Sequence, residues 1–190
     1  MVARPSSSAA RPATLEDLVA LPSNVVGEIL GGVLHASPRP ASPHAAAASA
    51  LGEELGPAFK RGRGGPGGWV ILDEPELHLR EDILVPDLAG WRRERMPEMP
   101  HAAAFELAPD WVAEILSPST TAIDRGAKVP IYARERVAHV WLIDPLTQVL
   151  EVLRLDGATY RLIATHCADA KVRAEPFDAI ELELAILWAR

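Results

Sequence analysis

The chain has 190 residues, a formal net charge of −7 and 48% apolar residues. That length supports one domain with a sizeable core, and the apolar share argues against a disordered chain. The acidic balance argues against a broad, sequence-independent grip on nucleic acid, and no apolar run approaches membrane-spanning length. One cysteine, Cys167, rules out a disulfide framework within the chain and suits a reducing cytoplasm.

In chain order, residues 1–13 are rich in Ser, Ala, Arg and Pro and hold no acid. They lack a signal-peptide apolar core and read as a disordered N-terminal tail, with a single domain over 14–190. Thr14-Leu15-Glu16-Asp17 looks like a capped helix start, and the helix ends near Pro22. Gly27 to His35 carries two short apolar runs around Gly31-Gly32, a two-residue hairpin signal. Ser42-Pro43 opens an alanine-rich helix to about Lys60, with Ser42 as cap and Pro43 in the first turn.

Lys60 to Gly68 is a basic, glycine-rich loop. Strands are expected at Trp69–Leu72, Glu76–Leu79 and Ile83–Val85, the last leading into Asp87 to Trp91. Arg92 to Leu107 reads as a loop and Trp111–Leu116 as a strand. A helix follows from about Ile123 to Arg136, then a strand at Val140–Ile143 closed by Asp144-Pro145. Val149–Leu155 and Thr159–Thr165 form a hairpin across Asp156-Gly157. A helix between two strands over Trp111–Ile143 suggests one βαβ unit. The expected fold class is α/β, a mixed central β-sheet flanked by helices.

The chemistry concentrates on Glu114, which interrupts the apolar run Trp111-Val112-Ala113-Ile115-Leu116. Both faces of that strand are apolar, so its carboxylate must be paired, protonated or bound to a cation. The competing reading is an edge strand with Glu114 facing water. Asp87 follows Pro86 at the end of an apolar strand, where it can sit beside Glu114 across a ladder. Pro-Asp is also a common turn pair, and Pro109-Asp110 repeats it. Lys128 lies on the helix after the Glu114 strand, and only Lys60 and Lys171 accompany it in the chain. Asp124, four residues earlier, offers an ordinary surface ion pair as the plain alternative.

Glu28 opens the hairpin and His44 opens the alanine-rich helix; a helix-face histidine is more often structural than catalytic. Lys60, Arg61 and Arg63, and likewise Arg92, Arg93 and Arg95, could meet a phosphate backbone or serve only as solvated charges. No HExxH spacing, Cys-rich zinc site, phosphate-binding glycine loop or Gly-x-Ser-x-Gly elbow is present.

Several segments appear in a telling order: Gly27 to Leu34, Leu84-Val85-Pro86-Asp87-Leu88, Trp111 to Thr120, Asp124 to Lys128, and Tyr132-Ala133 through Asp144-Pro145. Together they resemble the Uma-two-type restriction endonucleases, a bacterial branch of the PD-(D/E)XK nuclease superfamily. The resemblance spans about Thr14 to Leu187 and rests most on Glu114-Ile115-Leu116-Ser117-Pro118-Ser119-Thr120 with the later Trp141-Leu142-Ile143-Asp144-Pro145. It implies a restriction-endonuclease-like fold and a metal-dependent DNA phosphodiesterase using Mg²⁺, with Mn²⁺ as an alternative. It maps the metal-binding acids onto Asp87 and Glu114, with Glu28 as a further acid acting directly or through water. The superfamily's usual lysine position holds Leu116, and the branch supplies its lysine from the next helix, here Lys128. The branch's common Asp-Gly-Glu turn is replaced by Gly31-Gly32-Val33. The implied catalytic set is therefore Glu28, Asp87, Glu114 and Lys128, acting on DNA, with a homodimer as the form that presents two clefts to a duplex. The competing function is a nuclease fold without catalysis that binds nucleic acid or protein. A two-carboxylate sugar hydrolase would leave Lys128 idle.

Overall fold

The structure is a computed structural model that describes residues 11–188. Most of the expected tail lies outside the described residues. Its last three residues lie against the body: Ala13 N–H donates to Gly32 O, and the Arg11 guanidinium holds Asp17 at 2.7 Å. Asp17 in turn accepts from the Thr14 N–H at 2.8 Å, which fixes the start of α1 (Leu15–Val19).

β1 (Val25–Leu30) and β2 (Val33–Pro38) form the expected hairpin. Gly31 and Gly32 both take positive φ, 59° and 78°, the conformation a tight two-residue turn needs. β1 also pairs with β5 (Asp82–Leu84), which pairs with β4 (Leu77–Leu79). The result is a four-stranded antiparallel sheet in the order β2-β1-β5-β4. Asp82 is fully buried at its centre and satisfied: Gly31 N–H and Arg134 donate to its two oxygens, each at 2.6 Å.

The second sheet has six strands. β3 (Trp69–Asp73), β6 (Leu88–Arg92), β7 (Trp111–Ile115), β8 (His139–Asp144), β9 (Val149–Asp156) and β10 (Thr159–Cys167) run in the order β10-β9-β8-β7-β6-β3. Only β7 and β8 pair in parallel, and the helical crossover between them makes the expected βαβ unit. The central sheet is therefore mixed. β11 (Lys171–Val172) and β12 (Leu182–Glu183) form a small separate ribbon.

Strand parity divides the core in two. Trp111, Ala113, Ile115, Trp141 and Ile143 pack on one face against α2 (Ser42–Leu55), through Ala47, Leu51 and Leu55. Val112, Leu116, Val140 and Leu142 pack on the other, against Ile131 and Tyr132 of the crossover. The edge-strand reading of Glu114 fails, because β7 lies between β6 and β8 and every residue in it is buried. On the α2 face, Phe177 contacts Phe59, Trp69, Trp111 and Trp141 with ring centroids 4.6 to 5.7 Å apart. Gly90 leaves room for the Trp69 and Trp111 rings; a Cβ there would lie 3.2 Å from each.

Two helices differ from expectation in detail. The cap of α2 is Ala41, with Ser42 already helical, and its last turn, Gly56–Lys60, widens into a π turn. The crossover begins at α3 (Thr121–Ile123), passes through a π turn over Asp124–Lys128, and ends in α4 (Val129–Arg134). Pro130 follows the π turn directly and offers no N–H to a carbonyl of that turn.

Phe177→Ala is expected to lower unfolding free energy by about 3–5 kcal/mol, because it empties the centre of the aromatic cluster. Chemical denaturation of both proteins checks this; a loss under 1 kcal/mol would show that the cluster closes over the gap.

Candidate acid–lysine site

The chain between β5 and β6, Val85-Pro86-Asp87, passes from the four-stranded sheet to the six-stranded one. It brings backbone from one sheet and an acid onto the other. Asp87 directly precedes β6, and the β6–β7 register pairs Leu88 with Ala113. Extending that register by one residue sets Asp87 opposite Glu114. Asp87 Oδ2 accepts the Ile115 N–H at 2.6 Å, which ties the aspartate to the Glu114 strand. Glu28 reaches the same place from β1, where its Oε1 accepts the Val85 N–H at 2.8 Å.

Lys128 enters from the π turn and is buried. Its Nζ lies 3.0 Å from Glu28 Oε1, 3.1 Å from Glu114 Oε2, 3.4 Å from Asp124 Oδ1 and 3.4 Å from Val85 O. Asp124 is thus no solvated partner of Lys128; it is buried with it. Tyr132 completes the group by donating its hydroxyl to Glu114 Oε1. Glu28, His44, Asp87, Glu114, Asp124 and Lys128 all line one cavity of about 330 Å³.

The four sequence-predicted residues therefore meet. Sequence reasoning missed Asp124 and Tyr132, and read His44 as structural. The signal for the first two was present: positions 124, 128 and 132 recur every four residues and share a helical face. His44 carried no such signal; its Nε2 lies 3.2 Å from Asp87 Oδ1. The basic candidates do not join the cavity. Lys60 and Arg61 line a different one with Glu53 and Asp73, Arg92 stacks over Trp69, and Arg95 pairs with Asp110.

Three carboxylates contact one buried ammonium and a fourth, Asp87, lies nearby, and this imbalance sets the electrostatics. Burial pushes the Glu114 carboxyl well above its ordinary range; Lys128 pulls it back, while Asp124, Asp87 and Glu28 push it further up. Burial alone would lower Lys128, but Glu114, Glu28, Asp124 and Asp87 together hold it well above the usual lysine range, so it stays charged. Burial also raises Asp124 and Tyr132.

The donor set suits a hard cation, since it offers carboxylate oxygens in excess of positive charge. Among the described residues, no group of three or more His, Cys, Asp or Glu side chains is placed to hold a metal ion. Mg²⁺ does not need one: it commonly takes one or two carboxylates and completes its shell with waters and substrate phosphate. Asp87 and Glu114 supply two carboxylates to the cavity.

A group whose folded pKa is raised stabilises the fold fully below its unfolded value, and that contribution fades as pH rises toward the folded value. Glu114 is such a group, with an ordinary value of 4.5. In EDTA, the stability advantage of wild type over Glu114→Gln should therefore shrink as pH rises above about 4.5. Thermal unfolding of both proteins across pH 4.5 to 8 measures it, and a growing advantage would contradict the assigned direction.

Comparison with known proteins bears on the fold and the family. The crystal structure of a protein from Anabaena variabilis ATCC 29413, described as a "putative nuclease belonging to DUF820", superposes with a TM-score of 0.76 and 24% sequence identity. The match covers 93% of this chain and 98% of that one, and shows a shared fold. Comparison with curated proteins gives no match. The Uma2 family model, described as "Putative restriction endonuclease", matches residues 15–186. The chain thus belongs to the Uma2 family of restriction-endonuclease-like proteins.

Proposed function

We propose that the protein is a Mg²⁺- or Mn²⁺-dependent DNA endonuclease that hydrolyses phosphodiester bonds. The observation that carries this reading is Glu114. A central strand buries this acid beside a buried lysine, with Asp87 anchored to the next residue's N–H and the whole group open to one cavity. A stable core needs no such residue, since burying and pairing charges rarely gains over apolar packing. A nuclease needs it. Family membership supports the nuclease class.

Asp87 and Glu114 would hold the cation, and Glu28 would contribute through Lys128 or a water. A bound Mg²⁺ would supply positive charge at the scissile phosphate and favour ionisation of a nearby water. Lys128 brings a fixed ammonium to the same cavity, where it offsets charge that develops on the phosphate oxygens. Asp124 and Glu28 keep that ammonium charged and aimed. Tyr132 holds Glu114 by one oxygen and Lys128 holds it by the other, which fixes its rotamer. The serine-rich Ser117 to Thr120 turn and Arg39 line the outer cavity, where the DNA backbone would pass.

The chain acts in this reading as one cytoplasmic catalytic unit over residues 14–190, and a homodimer presents two clefts to a duplex. Among the described residues no helix is long and apolar enough to cross a membrane. The net charge of −7 opposes long-range attraction to phosphate, so cleavage is expected to be slow and to weaken with added salt. The same charge favours the second reading, a nuclease fold that binds a partner without cleaving.

Purified protein is expected to cleave DNA with Mg²⁺ or Mn²⁺ and not in EDTA. Asp87→Asn or Glu114→Gln should abolish cleavage with folding intact. Lys128→Met should lower turnover by about 10²–10³-fold, the usual loss for one charge-stabilising donor. Supercoiled-plasmid nicking assays with each variant test this. Cleavage that survives Glu114→Gln would assign the activity to a contaminant, and a protein that binds no divalent cation and cuts neither single- nor double-stranded DNA would leave the binding reading.

A further inference from the structure

His44 lines the cavity, and the proposed chemistry gives it no task. It lies in the first turn of α2, whose buried residues Ala47, Leu51 and Leu55 continue the same helical face. That face packs into the core, so the His44 ring is carried by a rigid element. Its Nε2 lies 3.2 Å from Asp87 Oδ1, while Ile115 N–H donates to Oδ2 at 2.6 Å. One oxygen of the carboxylate is thus held by a β7 backbone donor, and the other lies at contact distance from a ring carried on α2. A carboxylate accepts about four hydrogen bonds. The backbone bond leaves acceptor capacity on Asp87, and the ring beside the other oxygen limits the carboxylate's rotation.

The other ring nitrogen sharpens the point. Nδ1 is buried and, among the described residues, has no hydrogen-bond partner. A residue present only to fill space would be apolar there, because an unpaired buried nitrogen is destabilising. The contact with Asp87 is what the ring's polarity provides. An ionised aspartate only accepts, so a hydrogen bond across this contact needs the hydrogen on Nε2.

We infer that His44 is the positioning residue of Asp87, locking its carboxylate in the rotamer that receives a divalent cation. This rests on the metal-dependent reading given above, and it adds a residue on α2 to a site otherwise built from β1, the β5–β6 link, β7 and the crossover. Donors that fix a metal-binding carboxylate commonly matter about 10–100-fold in metal affinity.

The side-chain geometry gives a selective test. A glutamine at position 44 places its amide nitrogen near the Nε2 position, whereas an asparagine places it near Nδ1. Calorimetric titration with Mn²⁺ of the full chain compares wild type, His44→Ala, His44→Gln, His44→Asn and Asp87→Asn. His44→Ala should bind Mn²⁺ about 10–100-fold more weakly than wild type. His44→Gln should recover most of the affinity and His44→Asn should not. Circular dichroism and thermal unfolding in EDTA establish that each variant is folded. If His44→Ala does not fold, the Gln and Asn pair carries the test, and equal affinities in that pair overturn the inference. Wild-type affinity in His44→Ala, with binding lost in Asp87→Asn, overturns the role of His44 and leaves the metal reading standing. No Mn²⁺ binding by wild type overturns both.

Discussion

Lys128 holds the site together. A glutamate in the middle of β7 is unfavourable in a strand whose other residues pack into two apolar layers. The ammonium 3.1 Å away makes it tolerable, and the same ammonium binds Glu28 and Asp124. Removing one partner of such a group leaves buried charge uncompensated, typically at about 3–5 kcal/mol. The four-stranded sheet, the six-stranded sheet and the crossover each contribute one of these charges, so their packing and the site are one problem. The remaining excess of acid over base is what a divalent cation would neutralise.

The junction between the sheets does the placing. Val85 donates its N–H to Glu28 and presents its carbonyl to Lys128, and two residues later Asp87 bonds to β7. A short link with a proline at its centre serves both sheets at once. The π turn at Asp124–Lys128 does the same for the crossover. Such turns are rare in helices and concentrate at functional positions. Here it lies in the segment that delivers both Asp124 and Lys128 to the cavity.

Much of this was legible in the sequence. The apolar run around Glu114 announced a buried strand, and the crossover to Val140–Ile143 announced its parallel partner. Gly31-Gly32 marked the hairpin to the residue. Asp87, Glu114 and Lys128 stand out in the residue pattern, and Glu28 through the family resemblance. Asp124 was read as a surface acid because i,i+4 spacing to a lysine describes exposed and buried pairs equally well. Burial of both depends on where the crossover packs, and that is a long-range fact. His44 was unreadable for the same reason: it lies 43 residues from Asp87, and only the docking of α2 brings them together. Periodicity reports which residues share a face, and the distant segment that face meets is set by tertiary packing.

In the function proposed above, this buried acid–lysine group is a cation site built around Asp87 and Glu114. Crystals of the full chain soaked in Mn²⁺ and measured for anomalous scattering test it most directly. The account predicts a strong anomalous peak in contact with the Asp87 and Glu114 carboxylates, absent from Glu114→Gln crystals. Saturating Mn²⁺ with no peak at these residues, and Lys128 still bonded to Glu28 and Glu114, would contradict it.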